Sequence, residues 1–434
     1  MSSAPAGTAA SGPRRDALLV VLPMSASAAL LLLYVRQLSA LLSPAAFGEA
    51  GSLLSVLLAA SLPFGAVQAA IARAVAERRE SGDAEGEARA LAGGARLALR
   101  TAAGGALILG VGYLAFLLLG ESRLSGHAAV RIRSADSGSS LHRLTRPACI
   151  AASGAALALY HAALGTLLGR RDLVPFGLAA VAEPALRILV LRALSAPEPD
   201  AALAVATCIP TAGGIGALVL RRASCAREPA RIPLAFRHAL GLAAYGAAAY
   251  SAPLLAAARL EDPDEVGRFF AASHVGRFLI TLPLPFAMAL VRRVAERRAA
   301  GRSAAPPFWI TTGFLLVTLL WILGNLAFFP GWFLALLLEP GRYVEATPHL
   351  LPLGIGSAIY GLLQLPLFLG ISLGKTGAVG LVGCLDAALL LCAAAGPATW
   401  GGIVAAWAWG GAAALAVATL LAMRWLRGAD RARP

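Results

Sequence analysis

Nine side chains of this sequence carry chemistry into apolar surroundings. His274 and Arg277 in "AASHVGRFLITLP" are three residues apart, so on a helix they share a face and together offer positive charge to an anionic group. Arg36 in "LLLYVRQLSALL" presents a guanidinium. That group either grips phosphate oxygens through paired, charge-assisted hydrogen bonds or reaches out to an interface. Glu183 and Arg187 in "VAEPALRILVLRA" are four apart in the order a helix favours; they are either an internal ion pair or a pair that shifts with a ligand or a proton. His161, beside Tyr160, is a hydrogen-bonding residue or a step in a proton relay. Asp386 in "VGCLDAALLL" is one carboxylate in an apolar run and needs a proton, a sodium ion or an arginine from another helix. Gln68 and Gln364 are neutral groups that could meet hydroxyls of a cargo or bond between helices. Tyr245, Tyr250 and Tyr360 are candidates for stacking on sugars.

Two further patterns lead nowhere catalytic. The one lysine, Lys375, lies in "FLGISLGKTGAVG", where three residues rather than four separate Gly370 from Gly374. A phosphate-binding loop needs four, a strand before it and a helix after it. Both flanks are apolar, so the triplet marks a turn and no nucleotide is expected. Cys149, Cys208, Cys225, Cys384 and Cys392 have no paired spacing, so neither a metal site nor a disulfide framework is expected, and no cofactor.

The elements that must hold these residues follow from composition. The 434-residue chain is 58% hydrophobic and 14% charged, with a mean hydropathy of +0.73. That is the profile of an all-α polytopic membrane protein. About twelve stretches are long enough to span: 17–38, 50–72, 96–119, 148–168, 173–193, 201–220, 238–258, 268–291, 308–329, 347–370, 376–395 and 399–423. The polar segments between them are too short for a soluble catalytic domain, so no enzyme is expected. The net charge of +14 is a matter of topology, since most arginines fall in alternate loops and would lie on the cytoplasmic side. Both termini are then cytoplasmic and the first apolar run is an uncleaved span. One segment, 121–147, is expected outside yet is rich in arginine.

A self-match divides the chain. "SPAAFGEAGSLLSVLLAASLPFGAVQAAIARAVAERRESG" and "EDPDEVGRFFAASHVGRFLITLPLPFAMALVRRVAERRAAG" align without a gap: Pro44 with Pro263, Gly48 with Gly267, Arg73 with Arg292, and VAERR at 75–79 with VAERR at 294–298. Each unit is an outer Pro-x-x-x-Gly turn, an apolar helix and a basic inner segment, so both copies have one orientation and six spans make a half. The expected organisation is a tail (1–12), a six-helix bundle (13–220), a cytoplasmic linker (221–237), a second six-helix bundle (238–426) and a tail (427–434). Bundles related by an axis along the membrane normal enclose a cavity and rock about it.

These residues carry a resemblance. "LLLYVRQLSALLSPAAFGEAG", the closing "ARAVAERRESGD", "ALALYHAALGTLLGRRDLVPFG" and the segment from Ser251 to Glu296 resemble polysaccharide-type flippases of the multidrug/oligosaccharidyl-lipid/polysaccharide exporter superfamily. The resemblance implies two lobes and translocation of an undecaprenyl-pyrophosphate-linked sugar precursor across the cytoplasmic membrane. It also implies that Arg277 stands at a position the family commonly gives to arginine. Arg36, His274, Arg277, Glu183, Arg187, Gln68 and Gln364 are then candidate substrate contacts, and Asp386 and His161 candidate coupling residues for a proton or sodium ion. A monomer without nucleotide or nucleic-acid partners is expected. The alternatives are a cation-coupled drug antiporter, a lipid II flippase and, from another class, a membrane-embedded glycosyltransferase or polymerase. The last requires catalytic carboxylates outside the bundle.

Overall fold

A computed structural model describes residues 13–123, 140–193, 206–223, 229–232, 236–299, 302–393 and 399–431. Within them every regular element is helical: α1 (Pro13–Leu41), α2 (Pro44–Glu80), α3 (Ala84–Arg123), α4 (Ser140–Gly169), α5 (Leu173–Ala193), α6 (Cys208–Ala223), α7 (Phe236–Ala249), α8 (Ala252–Arg259), α9 (Pro263–Thr281), α10 (Pro283–Ala299), α11 (Ala305–Phe328), α12 (Pro330–Leu337), a 3-10 turn (Val344–His349), α13 (Leu350–Ser372), α14 (Thr376–Ala393) and α15 (Trp400–Arg431). Among the described residues, nine helical stretches are long and apolar enough to cross a membrane, and ten if the bent pair α7–α8 counts as one. Two shorter apolar helices, Cys208–Arg221 and Gly377–Leu389, complete the twelve expected units. Large apolar side chains such as Ile108, Trp321, Phe328 and Trp409 point outward, at 70% exposure or more. A surface of that kind belongs in lipid, and the chain is a multi-pass membrane protein.

The repeated units start as their sequences dictate. Pro44 opens α2 behind Ser43, whose hydroxyl accepts from the Ala46 amide at 3.3 Å. Pro263 opens α9 behind Asp262, whose carboxylate accepts from the Asp264 amide at 3.0 Å. A proline without an N–H and a side-chain acceptor before it suit the first turn of a helix. Beyond α2, Gly82 takes a positive φ of 72° and Asp83 caps α3 through a 2.7 Å bond from the Gly86 amide. That bond, with help from Arg78, holds the Asp83 carboxyl below its usual range.

Helix α2 is the hub of the molecule. It packs on α3 and α4 in its own half and on α7, α8 and α9 of the other. Helix α4 lies against α3 and α6, and α5 against α1. In the second half α13 is enclosed by α9, α10, α11 and α15, while α14 packs on α7 and α15.

Several boundaries differ from the sequence reading. The eighth span runs as one apolar stretch, Pro263–Val291, with its helical pattern interrupted only at Leu282, immediately before Pro283; a helix cannot keep its hydrogen bond at a proline amide. The seventh bends by 51° between α7 and α8. Of segment 121–147, three residues extend α3 and the last eight begin α4, while 124–139 lie outside the described residues. Short α12 and the 3-10 turn have no counterpart in the expected spans. The expected tail at 427–434 is helical as far as Arg431, and the expected tail at 1–12 lies outside the described residues. In the linker, the Ala230 amide donates to the Arg89 carbonyl at 2.8 Å, which holds that segment against α3.

Candidate functional site

Arg277 projects from α9 towards α2, across the junction of the two halves. It is 5% exposed and donates to the hydroxyl of Ser55 on α2. Its guanidinium also faces two rings, Phe270 with 4.9 Å to the centroid and Tyr250 with 5.9 Å. Among the described residues no carboxylate pairs with it. Rings and one hydroxyl offset only part of the cost of burying a full charge. One helical turn earlier, His274 is equally enclosed and neither ring nitrogen has a hydrogen-bond partner. The pair therefore presents unspent donors and one uncompensated positive charge, which is the chemistry of an anion site. The Phe270 ring lies 6.1 Å from the His274 ring.

The other predicted residues fall into four separate places. His161 and Gln68 come together: His161 Nδ1 lies 2.9 Å from Gln68 Oε1, linking α4 to α2. Glu183 and Arg187 form a buried ion pair within α5. Thr211 donates to the same carboxylate oxygen at 3.3 Å, and Arg187 lies over the Tyr34 ring at 5.4 Å. Tyr34 in turn meets Thr207 at 3.0 Å. This cluster ties α1, α5 and α6 together, and its internal pairing marks it first as a structural knot.

In the second half, Asp386 of α14 is fully buried. The Tyr360 hydroxyl donates to its Oδ1 at 3.1 Å, and Oδ2 has no partner. The arginine partner considered for it is absent among the described residues. Gln364, one turn beyond Tyr360, donates to the Ile280 carbonyl at 2.6 Å while its own oxygen is left without a donor. Tyr245 donates to the Tyr360 carbonyl at 2.8 Å. Tyr245 and Tyr360 are thus enclosed hydrogen-bonding residues of the core and offer no face to a sugar here.

Arg36 lies apart from the other predicted residues. Its guanidinium donates to the Leu336 carbonyl at 3.0 Å, so it joins α1 to α12 of the other half. The Arg73–Glu77 pair exists at 2.6 Å on an exposed helix face; in the second repeat the side chains of Arg292 and Glu296 lie outside the described residues. Lys375 follows Gly374, whose φ of 71° ends α13 in a turn. No disulfide and no metal-holding group of His, Cys, Asp and Glu occurs among the described residues.

Sequence reasoning missed Ser55, Tyr34, Thr207 and Thr211, and for Tyr360, read as a stacking ring, it missed the bond to Asp386. Only Tyr360 left a trace, four residues before Gln364 and so on the same helical face. A cavity of about 690 Å³ opens elsewhere, at the Pro263 end, beside Glu261, Glu265, His349 and Trp400. None of the nine predicted residues lines it.

No family model matches the sequence, and no curated protein does. Solved structures match over almost the whole chain. One is an inward-facing multidrug resistance MATE family transporter of the MOP superfamily, with a TM-score of 0.69, 11% identity, 96% of this chain covered and 100% of that chain. An outward-facing structure with the same family name gives 0.68 at 15% identity, with 96% and 97% covered. A MOP superfamily transporter from Pyrococcus furiosus, whose structure is described by a reversed polarity of its binding pocket, gives 0.69 at 14%, again with 96% and 97% covered. This chain has the MATE fold. In this fold, with its twelve helices in two lobes, α2 of the first half packs on α9 of the second, and Arg277 lies where they meet. Identities this low establish architecture and leave the cargo to be argued from the site.

Proposed function

We propose that the chain is a flippase that carries a lipid-linked oligosaccharide or polysaccharide precursor, anchored through a pyrophosphate, across the cytoplasmic membrane by alternating access. The observation that carries this reading is Arg277: a buried guanidinium between the lobes with no carboxylate among the described residues to neutralise it. An intramembrane charge is expensive, and one that faces the seam between two moving halves suits a cargo that brings the opposite charge. A diphosphate supplies both the charge and the acceptor oxygens that Arg277 and His274 lack, and the guanidinium fork matches its geometry. The reversed pocket polarity ascribed to the Pyrococcus furiosus transporter supports a different cargo within this fold.

In this reading the lobes are residues 13–220 and 238–426, the termini are cytoplasmic, Pro44 and Pro263 mark the outer side, and the protein works as a monomer. Arg277 and His274 hold the head group. Asp386, with one oxygen unpartnered, takes up the driving proton or sodium ion. His161 with Gln68 lines the path in the first lobe.

A second reading is a cation-coupled small-molecule antiporter, favoured by the enclosed, arginine-free carboxylate of Asp386 and by the multidrug names of the structural neighbours. Reconstitution into liposomes separates the two. Movement of a fluorescent lipid-linked oligosaccharide supports the flippase. Gradient-driven efflux of a cationic dye with no lipid movement overturns it.

A further inference from the structure

The end of the molecule where both repeats begin is fastened from one lobe to the other by a compact set of contacts. Three bonds from Arg342 Nη1 reach the last carbonyls of α1 and the residue after it: Ser39 at 2.9 Å, Leu42 at 2.8 Å and Ala40 at 3.5 Å. Carbonyls at a helix C-terminus lack internal donors and carry the negative end of the helix dipole, so an arginine is the natural partner. Two further bonds run beside them. The Glu339 amide donates to the Ser39 hydroxyl at 3.0 Å, and Arg36 donates to the Leu336 carbonyl.

Beneath this polar set lies an apolar plug. Phe47 of α2 is fully buried, with its ring centroid 4.8 Å from Phe270 of α9 and 5.4 Å from Tyr343. Beside the plug, at the starts of α2 and α9, Gly48 and Gly267 approach backbone to backbone.

We infer that Arg342, the carbonyls of α1 and the segment 336–346 form a latch that holds this end of the transport path shut, and that Phe270 links the latch to the site. Phe270 is the shared part: one ring packs on Phe47 in the plug and lies over the Arg277 guanidinium. A bound anion that draws Arg277 away from the ring removes a cation–π contact and loosens the plug from below. The closed state is also left with a cost of its own, because the Tyr343 hydroxyl is buried without a hydrogen-bond partner. Opening would let water reach it. Each bond of the latch is exposed or half-exposed and individually weak. Such bonds are suited to a contact that must break in every cycle.

This inference rests on the alternating-access reading, and its test has an arm that does not. Spin labels on cysteines placed at Leu41 and Val344, both exposed and on opposite lobes, report the separation of the latch without any cargo. In the otherwise cysteine-free protein in nanodiscs, one short-distance population is expected. With Arg342→Ala, a second, longer-distance population absent from the parent should appear. A distribution that superposes on the parent's overturns the latch. In the second arm, Ser39→Cys with Glu339→Cys is oxidised to a disulfide in proteoliposomes. Cargo movement should stop and return on reduction; undiminished movement in the crosslinked protein overturns the claim that this end must open. If distances shift as expected but no lipid-linked sugar moves in any variant, the latch stands and the cargo assignment falls.

Discussion

Gly48 and Gly267 occupy equivalent places in the two halves of the sequence and meet at the seam of the folded molecule: a methyl group on Gly48 would lie 2.8 Å from the Gly267 amide nitrogen, and one on Gly267 only 1.9 Å from the Pro44 carbonyl oxygen. An internal repeat thus brings its own matched positions into contact, as an axis along the membrane normal requires of residues close to that axis.

Gly267→Ala should therefore force the lobes apart at that end. The backbone atoms it meets cannot rotate away, so overpacking of about 1–3 kcal/mol is expected. It would appear as a lower melting temperature in detergent. Gly65→Ala is the matched control: nothing lies within 4 Å of its added carbon, and a mid-helix alanine should stabilise by about 0.5–1 kcal/mol. Equal melting temperatures for the two variants would contradict the close approach.

Arg277→Ala should lower cargo movement at least ~10-fold, about 1.4 kcal/mol or more. It should do so without lowering thermal stability, because the variant also removes a poorly compensated buried charge. Arg277→Lys keeps the charge but loses the fork and should fall between the two. Wild-type movement in a well-expressed Arg277→Ala variant rules out head-group binding there.

The Glu183–Arg187 pair gives a thermodynamic test of structure against function. Both groups are enclosed, so Arg187→Met alone leaves a buried carboxylate and should destabilise by about 3–5 kcal/mol, with Glu183→Leu comparable. Together the two changes should restore most of that stability. A double variant that melts no higher than the single ones would show that the groups do not act as a pair. Retained transport in the stable double variant would assign them to scaffolding.

Asp386→Asn keeps an oxygen for the Tyr360 hydroxyl at Oδ1, so the fold should survive. What it loses is the capacity to take up a proton or bind a cation. Cargo movement is expected to lose its response to an imposed proton or sodium gradient, measured with the gradient set in liposomes. An unchanged response to both gradients refutes the coupling role.

The architecture was legible because its causes are local. Apolar length set the spans, arginine placement set their expected sidedness, and Pro44 and Pro263 with their capping residues set where the repeated helices start. Where the sequence leaves alternatives open, the deciding contact is remote. Arg36 has the same apolar neighbours in sequence whether it binds a ligand or an interface, and only the approach of α12 gave it the Leu336 carbonyl. Asp386 reads from the sequence as a coupling carboxylate or as a partner for an arginine, and the packing of α13 on α14 brings it the Tyr360 hydroxyl in place of an arginine. Tyr245 and Tyr360 looked like sugar platforms and are held inside the second half.

By itself the sequence determined an all-helical multi-pass chain of about twelve apolar stretches, a unit repeated in its two halves and the short list of charges that membrane burial makes costly. Hydropathy and helical period are properties of a chain one turn at a time, so one sequence suffices to read them. The tertiary structure decided how that list divides: Glu183 with Arg187, His161 with Gln68, Asp386 with Tyr360, and Arg277 left at the seam with Ser55 and two rings. Which charge is neutralised depends on what packing brings within about 4 Å from segments up to hundreds of residues away, and no spacing along the chain records that.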